Sequence, residues 1–195
     1  MNTELINNVR KHCRDLLNKS RCKSLQFHNY QHTLNVVHNA EMIAIKSKIS
    51  DEETEIVLIS AYFHDVGNME TSKQHEMLSC SIARSFLEKE NYLEAKIRII
   101  ENIILATEIN REPTTLLEEI ICDADLGHLG KKTFLTQNKL LREEWSNFLD
   151  MTFTDEEWLN LNLKFLDNHH FYTEAARKLF LKQKSENIIK FKEVI

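Results

Sequence analysis

Three short segments of the sequence place histidine and aspartate side chains at spacings that suit metal binding. His28 and His32 are four residues apart, the separation that puts two side chains on one face of a helix. The second segment contains the adjacent pair His64 and Asp65, and the third contains Asp125. Together these segments offer a mixed set of imidazole nitrogens and carboxylate oxygens.

This donor set favours a catalytic metal ion over a structural one. Imidazole and carboxylate ligands suit Mn²⁺, Fe²⁺, Mg²⁺ or Zn²⁺, and no thiolate is present in the set to favour structural zinc. Four protein ligands around a six-coordinate ion leave positions open for water and substrate. A single histidine or aspartate is more often a hydrogen-bonded residue or a helix cap, so only the combination of segments points to a metal.

The pair His64 and Asp65 requires a break in its helix if both are to reach one ion, because adjacent side chains on a continuous helix point about 100° apart. Gly67 follows two residues later and is a residue at which helices commonly end. The other two glycines, Gly127 and Gly130, follow Asp125. We expect the backbone freedom of these glycines to let neighbouring ligands converge and other groups approach closely.

The elements that position these residues are predicted to be helices. The chain has 195 residues but only 3 Gly and 1 Pro, too few for the tight turns of sandwiches, barrels or doubly wound sheets. Apolar residues recur at helical spacing, beginning with an amphipathic segment over residues 5–17. The sequence therefore predicts one all-α domain of eight or nine helices over residues 1–195, with the motifs in a core at about 26–130 and further helices at about 131–195.

The helix limits follow from periodicity and from end signals. Ser50 with Glu53, and Thr154 with Glu157, have the spacing of capping boxes. Pro113 lies in a polar break between two helices. After the first segment, helices are predicted at about 30–48, 51–65, 72–89, 93–109, 114–126, 131–149, 155–168 and 173–192.

The net charge and the cysteine pattern exclude some classes of binding partner. A net charge of −5 gives no general attraction to nucleic acid or to an anionic membrane. The four cysteines form no CxxC pair, and no apolar run approaches the roughly 20 residues of a membrane span. We therefore expect a cytoplasmic protein with no membrane partner and no long nucleic acid partner. A helical face would support a homodimer, although no heptad pattern requires one.

The order of His32, His64-Asp65 and Asp125 resembles the H…HD…D signature of the HD superfamily of metal-dependent phosphohydrolases, and most of all its small predicted-phosphohydrolase branch. The resemblance continues through FHNYQH, AYFHDVG, the E-x-x-S at Glu76–Ser79, DADLGHLG, LREEW and FLDNHHFYTEAAR. It thus covers residues of about 26 to 190. It implies an HD-type helical bundle with a C-terminal helical extension.

By this resemblance, the metal ligands are His32, His64, Asp65 and Asp125. Asp123 is then expected to orient a neighbour or cap a turn, with binding of the ion in place of Asp125 as the alternative. One divalent ion is expected to bind firmly, and a second, weaker one is compatible with Asp65 and water as ligands. Asp65 would also orient the attacking water.

Several further residues have two possible roles each. The HNxxH segment ending at His32 is similar to that of cyclic-nucleotide phosphodiesterases, which makes His28 either the general acid or a hydrogen-bond partner behind the ligands. His75 and Glu76 are predicted near a helix start, where one of them either reaches the metal water or a second ion, or plays only a helix-terminal role. Glu76 is counted among the catalytic candidates.

Three other residues are candidates for supporting roles. Glu108 lies in a segment that loosely resembles the same phosphodiesterases. His128 is expected to pack or to hydrogen-bond behind the ligands. Arg142 has the side chain to bind a phosphate in a bidentate manner, but an ion pair is its more common role.

The predicted function is hydrolysis of a small phosphomonoester or phosphodiester, most simply of a nucleotide. Two alternatives belong to other classes. One is a non-catalytic module that senses a metal or a nucleotide. The other is a di-iron oxygenase, which requires more histidines than this chain offers, since residues 76–124 contain none.

Overall fold

The computed structural model describes residues 1–193, which form nine α-helices and three short 3-10 helices without a strand. The all-α prediction is confirmed. The α-helices are α1 (Thr3–Lys19), α2 (Tyr30–Ser47), α3 (Asp51–Phe63), α4 (His75–Lys89), α5 (Glu94–Leu105), α6 (Leu116–Asp125), α7 (Phe134–Phe148), α8 (Asp155–Asn168) and α9 (Glu174–Lys192). The 3-10 helices are Arg21–Lys23, Val66–Met69 and Leu126–Gly130.

The end signals in the sequence locate several of these helices well. Both predicted capping boxes are formed, with Ser50 and Thr154 as the N-caps of α3 and α8. The largest difference is at α5, which ends at Leu105 and not near residue 109. A turn follows it, and the break around Pro113 separates α5 from α6 as predicted.

Two apolar clusters form the interior. The larger one involves helices α1 to α6 and the first half of α9, and it includes the fully buried side chains of Phe63, Ile59 and Ile104. The smaller one lies among α7, α8 and the end of α9 and is centred on Phe134 and Trp158. We call α7, α8 and α9 the C-terminal layer.

Helix α2 lies at the centre of the larger cluster and packs against both α3 and α6. The start of α2 carries His32, the end of α3 leads into His64, and the end of α6 is Asp125. Packing these three helices together therefore brings three distant parts of the sequence to one place.

The glycines serve close packing, which corrects part of the prediction from sequence. None of the three glycines has a positive φ, so none is needed for backbone freedom. A Cβ on Gly67 would lie 2.0 Å from the carbonyl oxygen of His75, and one on Gly130 would lie 2.4 Å from Cβ of Phe180. These glycines let α4 and α9 pack directly against the segments that follow the HD pair and Asp125.

Within residues 1–193, no helix is both long enough and apolar enough to cross a membrane.

Candidate metal centre

Four side chains converge where α2, α3 and α6 meet. Nε2 of His32 lies 3.0 Å from Oδ1 of Asp125 and 3.4 Å from Oδ2 of Asp65. Nε2 of His64 lies 3.3 Å from the same Asp65 oxygen and 3.6 Å from the same Asp125 oxygen. Two nitrogens and two oxygens thus face a common point, and we call these four residues the cluster.

Local structure explains how adjacent residues reach one point. Helix α3 ends at Phe63, and Asp65 has φ −105° and ψ 2°, outside the helical region. The chain then continues as the 3-10 helix Val66–Met69. The expected break between His64 and Asp65 is therefore present, and it turns the carboxylate toward the imidazole.

The His64 ring is also fixed from behind. Its Nδ1 lies 2.9 Å from the carbonyl oxygen of Ala61, so Nδ1 donates a hydrogen bond to that oxygen. In the neutral ring, Nε2 then has a free lone pair directed at the cluster. This is the usual arrangement of a histidine that binds a metal through Nε2.

The cluster fits a divalent cation. Nε2 of His32, Nε2 of His64 and Oδ2 of Asp65 are buried and have no hydrogen-bond partner within the described residues. Ligand atoms from His32, His64 and Asp125 all lie within 4.8 Å of one another. Leaving buried polar atoms unpaired costs free energy, and a cation bound between them would satisfy all of them together.

The charge state of the carboxylates agrees with this interpretation. Burial alone would raise the pKa of Asp65 and of Asp125. The hydrogen bonds and charge of the protonated imidazoles outweigh burial and hold the pKa of both carboxyl groups below their ordinary range, and the same carboxylates raise the pKa of His64 well above its own. A divalent cation at the cluster would take the place of the proton on Nε2 of His64. Both side chains are therefore anionic and able to bind a cation.

Comparison with known proteins supports the same conclusion about the family. The family model of the HD domain matches residues 29–128, which include all four residues of the cluster. The chain belongs to the HD-domain family. No curated protein matches it in sequence.

The HD domain of this chain also has a structural relative. The chain is similar to the crystal structure of a predicted HD superfamily hydrolase from an uncultured Thermotogales bacterium, with 18% sequence identity and a TM-score of 0.63. The similarity covers 98% of this chain and 89% of that one. The C-terminal layer, which lies outside the family model, is therefore included in the shared fold.

Asp65 of the HD pair divides its two oxygens between different partners. Its Oδ1 accepts a hydrogen bond from the amide of Asn68 at 3.2 Å and lies 3.0 Å from Nε2 of His75. The backbone carbonyl of Asn68 is in turn bound by Nε of Arg21 at 2.8 Å. These contacts fix the carboxylate so that Oδ2 faces the cluster.

His75 begins α4, as predicted, and Glu76 lies beside it. The Glu76 carboxylate is buried and approaches Nδ1 of His75 at 3.6 Å. The structure thus brings His75 into contact with Asp65, and Glu76 into contact with His75.

The expectation that His28 and His32 share a helix face is wrong. Asn29 is the N-cap of α2 and accepts hydrogen bonds from the N–H groups of Gln31 and His32, so His28 precedes the helix. Its ring nevertheless packs edge-on against that of His32, with 5.7 Å between centroids. The loop that precedes α2 therefore places His28 next to the cluster.

His128 lies on the 3-10 helix after Asp125. Its Nδ1 is 3.1 Å from the carbonyl oxygen of Asp125, and its ring packs edge-on against Phe27 at 5.2 Å. Burial lowers the pKa of His128 to about 4. A neutral ring packed beside the cluster agrees with the packing role expected from the sequence.

The two aspartates of α6 have separate environments. Asp123 accepts hydrogen bonds from the backbone N–H groups of Tyr172 and Thr173, each at 2.8 Å, and from the Thr173 hydroxyl at 2.7 Å. It therefore binds the start of α9. Only Asp125 of the two faces the cluster.

The structure does not bring Arg142 or Glu108 to the cluster. The Arg142 guanidinium binds the Asp155 carboxylate at 2.7 Å and the Phe153 carbonyl at 2.5 Å. Glu108 is exposed in the turn after α5. Arg142 thus has the ion pair that the sequence also allowed.

One residue beside the HD domain was not singled out by the sequence analysis, although it stands in the LREEW segment of the resemblance. Glu144 of α7 accepts hydrogen bonds from the N–H groups of Phe27 and His28 and contacts the His28 ring. The neighbouring Glu143 is exposed, and the two glutamates cannot be told apart without knowing how α7 packs.

Proposed function

We propose that this protein is a metal-dependent phosphohydrolase that cleaves a small phosphomonoester or phosphodiester, with nucleotides as the first substrate class to test. The observation that supports this proposal is the convergence of buried atoms without protein partners, Nε2 of His32, Nε2 of His64 and Oδ2 of Asp65, beside Asp125. Membership of the HD-domain family agrees with it.

The four residues of the cluster would hold the ion. A bound divalent ion would supply charge neutralisation at a phosphoryl group and a water of lowered pKa. The contacts of Asp65 Oδ1 with Asn68 and His75 keep the other oxygen directed at the cluster. Rigid ligands of this kind cost little reorganisation during the reaction.

The departing oxygen of the ester needs a proton, and His28 is the proposed donor. Its side chain is 29% exposed, so a ligand can reach it, and its ring packs against that of His32. Water attacks phosphorus and releases a proton to solvent, the bond from phosphorus to the ester oxygen breaks, and that oxygen takes a proton from the imidazole. The ring then regains a proton from solvent.

The test combines metal analysis with a substrate screen. Purified protein is analysed for bound metals and then assayed with Mn²⁺, Mg²⁺, Fe²⁺ or Zn²⁺ on nucleoside mono-, di- and triphosphates and on cyclic nucleotides. We expect phosphate or ester hydrolysis that depends on metal and is lost in His64→Ala and Asp65→Ala. His38→Ala is the matched control, because His38 is an exposed histidine on α2.

Two results would overturn the proposal. Stoichiometric metal and nucleotide binding without turnover would favour a sensor module. Bound iron with oxygen uptake that depends on an added substrate would favour an oxygenase.

A further inference from the structure

Glu144 connects the C-terminal layer to the edge of the cluster. Its side chain is only 6% exposed and belongs to α7, outside the region matched by the HD-domain model. One oxygen, Oε2, accepts the backbone N–H groups of Phe27 at 2.7 Å and of His28 at 2.9 Å. The other, Oε1, is in hydrogen-bond contact with Nδ1 of the His28 ring.

These contacts determine which ring nitrogen of His28 is the donor to Glu144. The backbone N–H groups of Phe27 and His28 can only donate, so Oε2 carries no proton, and both hydrogen bonds stabilise the ionised form of the carboxylate. An ionised carboxylate can only accept hydrogen bonds. Nδ1 of His28 must donate, which leaves Nε2 to exchange a proton with a ligand.

We propose that Glu144 is a positioning residue for His28: it fixes the orientation of the ring and keeps a hydrogen on Nδ1, so that Nε2 is the atom that delivers the proton. The catalytic part of this inference rests on the proposed function. The positioning part concerns only residues 27, 28 and 144 of the chain.

The proton balance shows why this contact matters. A His28 ring with hydrogens on both nitrogens gives the Nε2 proton to the departing oxygen and becomes a neutral ring that still donates from Nδ1 to Glu144. A ring whose Nδ1 must accept a hydrogen bond has its single proton on Nε2. Such a ring would become an anion on losing that proton, and it cannot serve as the acid near neutral pH.

Glu144→Gln separates these two states with little change in shape. The amide oxygen can still accept the N–H groups of Phe27 and His28, so the loop stays attached. The amide NH₂ then faces Nδ1 and donates to it, which reverses the direction of the hydrogen bond. Glu143→Gln is the matched control, because it removes the same charge from an exposed position on the same helix.

The first readout is the ¹⁵N NMR spectrum of the His28 ring in the Zn²⁺-loaded protein. We expect a protonated Nδ1 in the wild type and in Glu143→Gln, and an unprotonated Nδ1 in Glu144→Gln. An unprotonated Nδ1 in the wild type would overturn the inference. This measurement needs no substrate, so it stands even if the wild type hydrolyses no phosphate ester and the proposed function fails.

The second readout is the dependence of rate on the leaving group. For an alkyl phosphate ester we expect kcat of Glu144→Gln to fall about 10²- to 10⁴-fold, with KM and metal content unchanged. For p-nitrophenyl phosphate, whose phenolate departs without a proton, we expect a much smaller loss. An equal loss for both esters, or no loss for either, would overturn the inference.

Discussion

The cluster and the C-terminal layer differ in how their buried polar groups are paired. At the cluster, Nε2 of His32, Nε2 of His64 and Oδ2 of Asp65 are buried without hydrogen-bond partners. In the C-terminal layer the buried amides are paired. Asn187 donates to two backbone carbonyls, and Asn138 accepts from Nε1 of Trp158 at 2.7 Å.

This difference separates atoms that suit the binding of an ion from atoms that hold the fold together. An unpaired buried group costs stability, and the cost is understandable where an ion would recover it. The paired groups of the C-terminal layer bind the segments that flank the cluster. Glu144 binds residues 27–28, and Asn187 binds the carbonyls of Leu129 and Lys131, a few residues after Asp125.

The largest effect is expected when an aspartate of the cluster loses its charge. Asp125→Asn should reduce metal affinity and hydrolysis by more than about 100-fold, which is the loss seen when only a partner of a ligand is removed. Folding stability should be retained, because Asp125 faces the cluster and does not hold another helix. Metal analysis, initial rates and urea unfolding measure the three quantities.

Asp123→Asn is the matched variant on the same helix, with the same change of charge. It should keep metal binding but lower the free energy of unfolding by about 1–3 kcal/mol, because one acceptor for Thr173 is lost at the start of α9. Loss of metal in Asp123→Asn with full retention in Asp125→Asn would reverse the assignment of the two aspartates.

A smaller effect, confined to stability, is expected from Asn187→Ala. Its amide donates at 2.8 Å to each of the carbonyls of Leu129 and Lys131, and losing both bonds should cost about 1–3 kcal/mol. Chemical denaturation measures the cost, with Glu186→Ala as the exposed control on α9. If the metal content of Asn187→Ala falls together with its stability, the C-terminal layer also supports metal binding. The two regions would then not have separate roles.

The HD domain could be predicted from sequence because its signals are local. His32, His64-Asp65 and Asp125 stand in short motifs, and the start of the helix that carries His32 has its own cap residue, Asn29. The shared helix face of His28 and His32 was the wrong inference, because the helix predicted to begin at about residue 30 already leaves His28 outside it. Asn29 is a favoured N-cap residue and supports that start.

The role of Glu144 could not be predicted because it depends on packing between distant elements. The contact joins residues 116 positions apart in sequence, and α7 has apolar and charged positions on more than one side. The packing of α7 in the smaller apolar cluster determines whether Glu143 or Glu144 is buried. The same reasoning applies to Arg142, whose partner Asp155 is fixed only when α7 and α8 pack.

The smallest effect tests an exception within the C-terminal layer. Nδ1 of His169 is the one side-chain nitrogen or oxygen atom from residues 131–193 that is buried without a hydrogen-bond partner. Burial, helped by the nearby charge of Lys184, lowers the pKa of His169 to about 3. The ring is therefore neutral in the folded protein, and acid favours the unfolded chain, in which the ring is free to bind a proton.

Because the pKa of His169 is lower in the folded chain than in the unfolded chain, the free energy of unfolding decreases as the pH falls. The contribution of His169 is fully present above an ordinary histidine pKa of roughly 6.5 and is lost as the pH falls toward the folded value. At pH 5.5 the loss should reach at most about 1.4 kcal/mol relative to pH 8. Because other histidines also titrate, the quantity to measure is the difference in urea unfolding between the wild type and His169→Gln at the two pH values. His170→Gln is the control, since His170 is an exposed neighbour. If the free energy of unfolding depends equally on pH in all three proteins, the His169 ring is protonated in the folded state and the prediction is wrong.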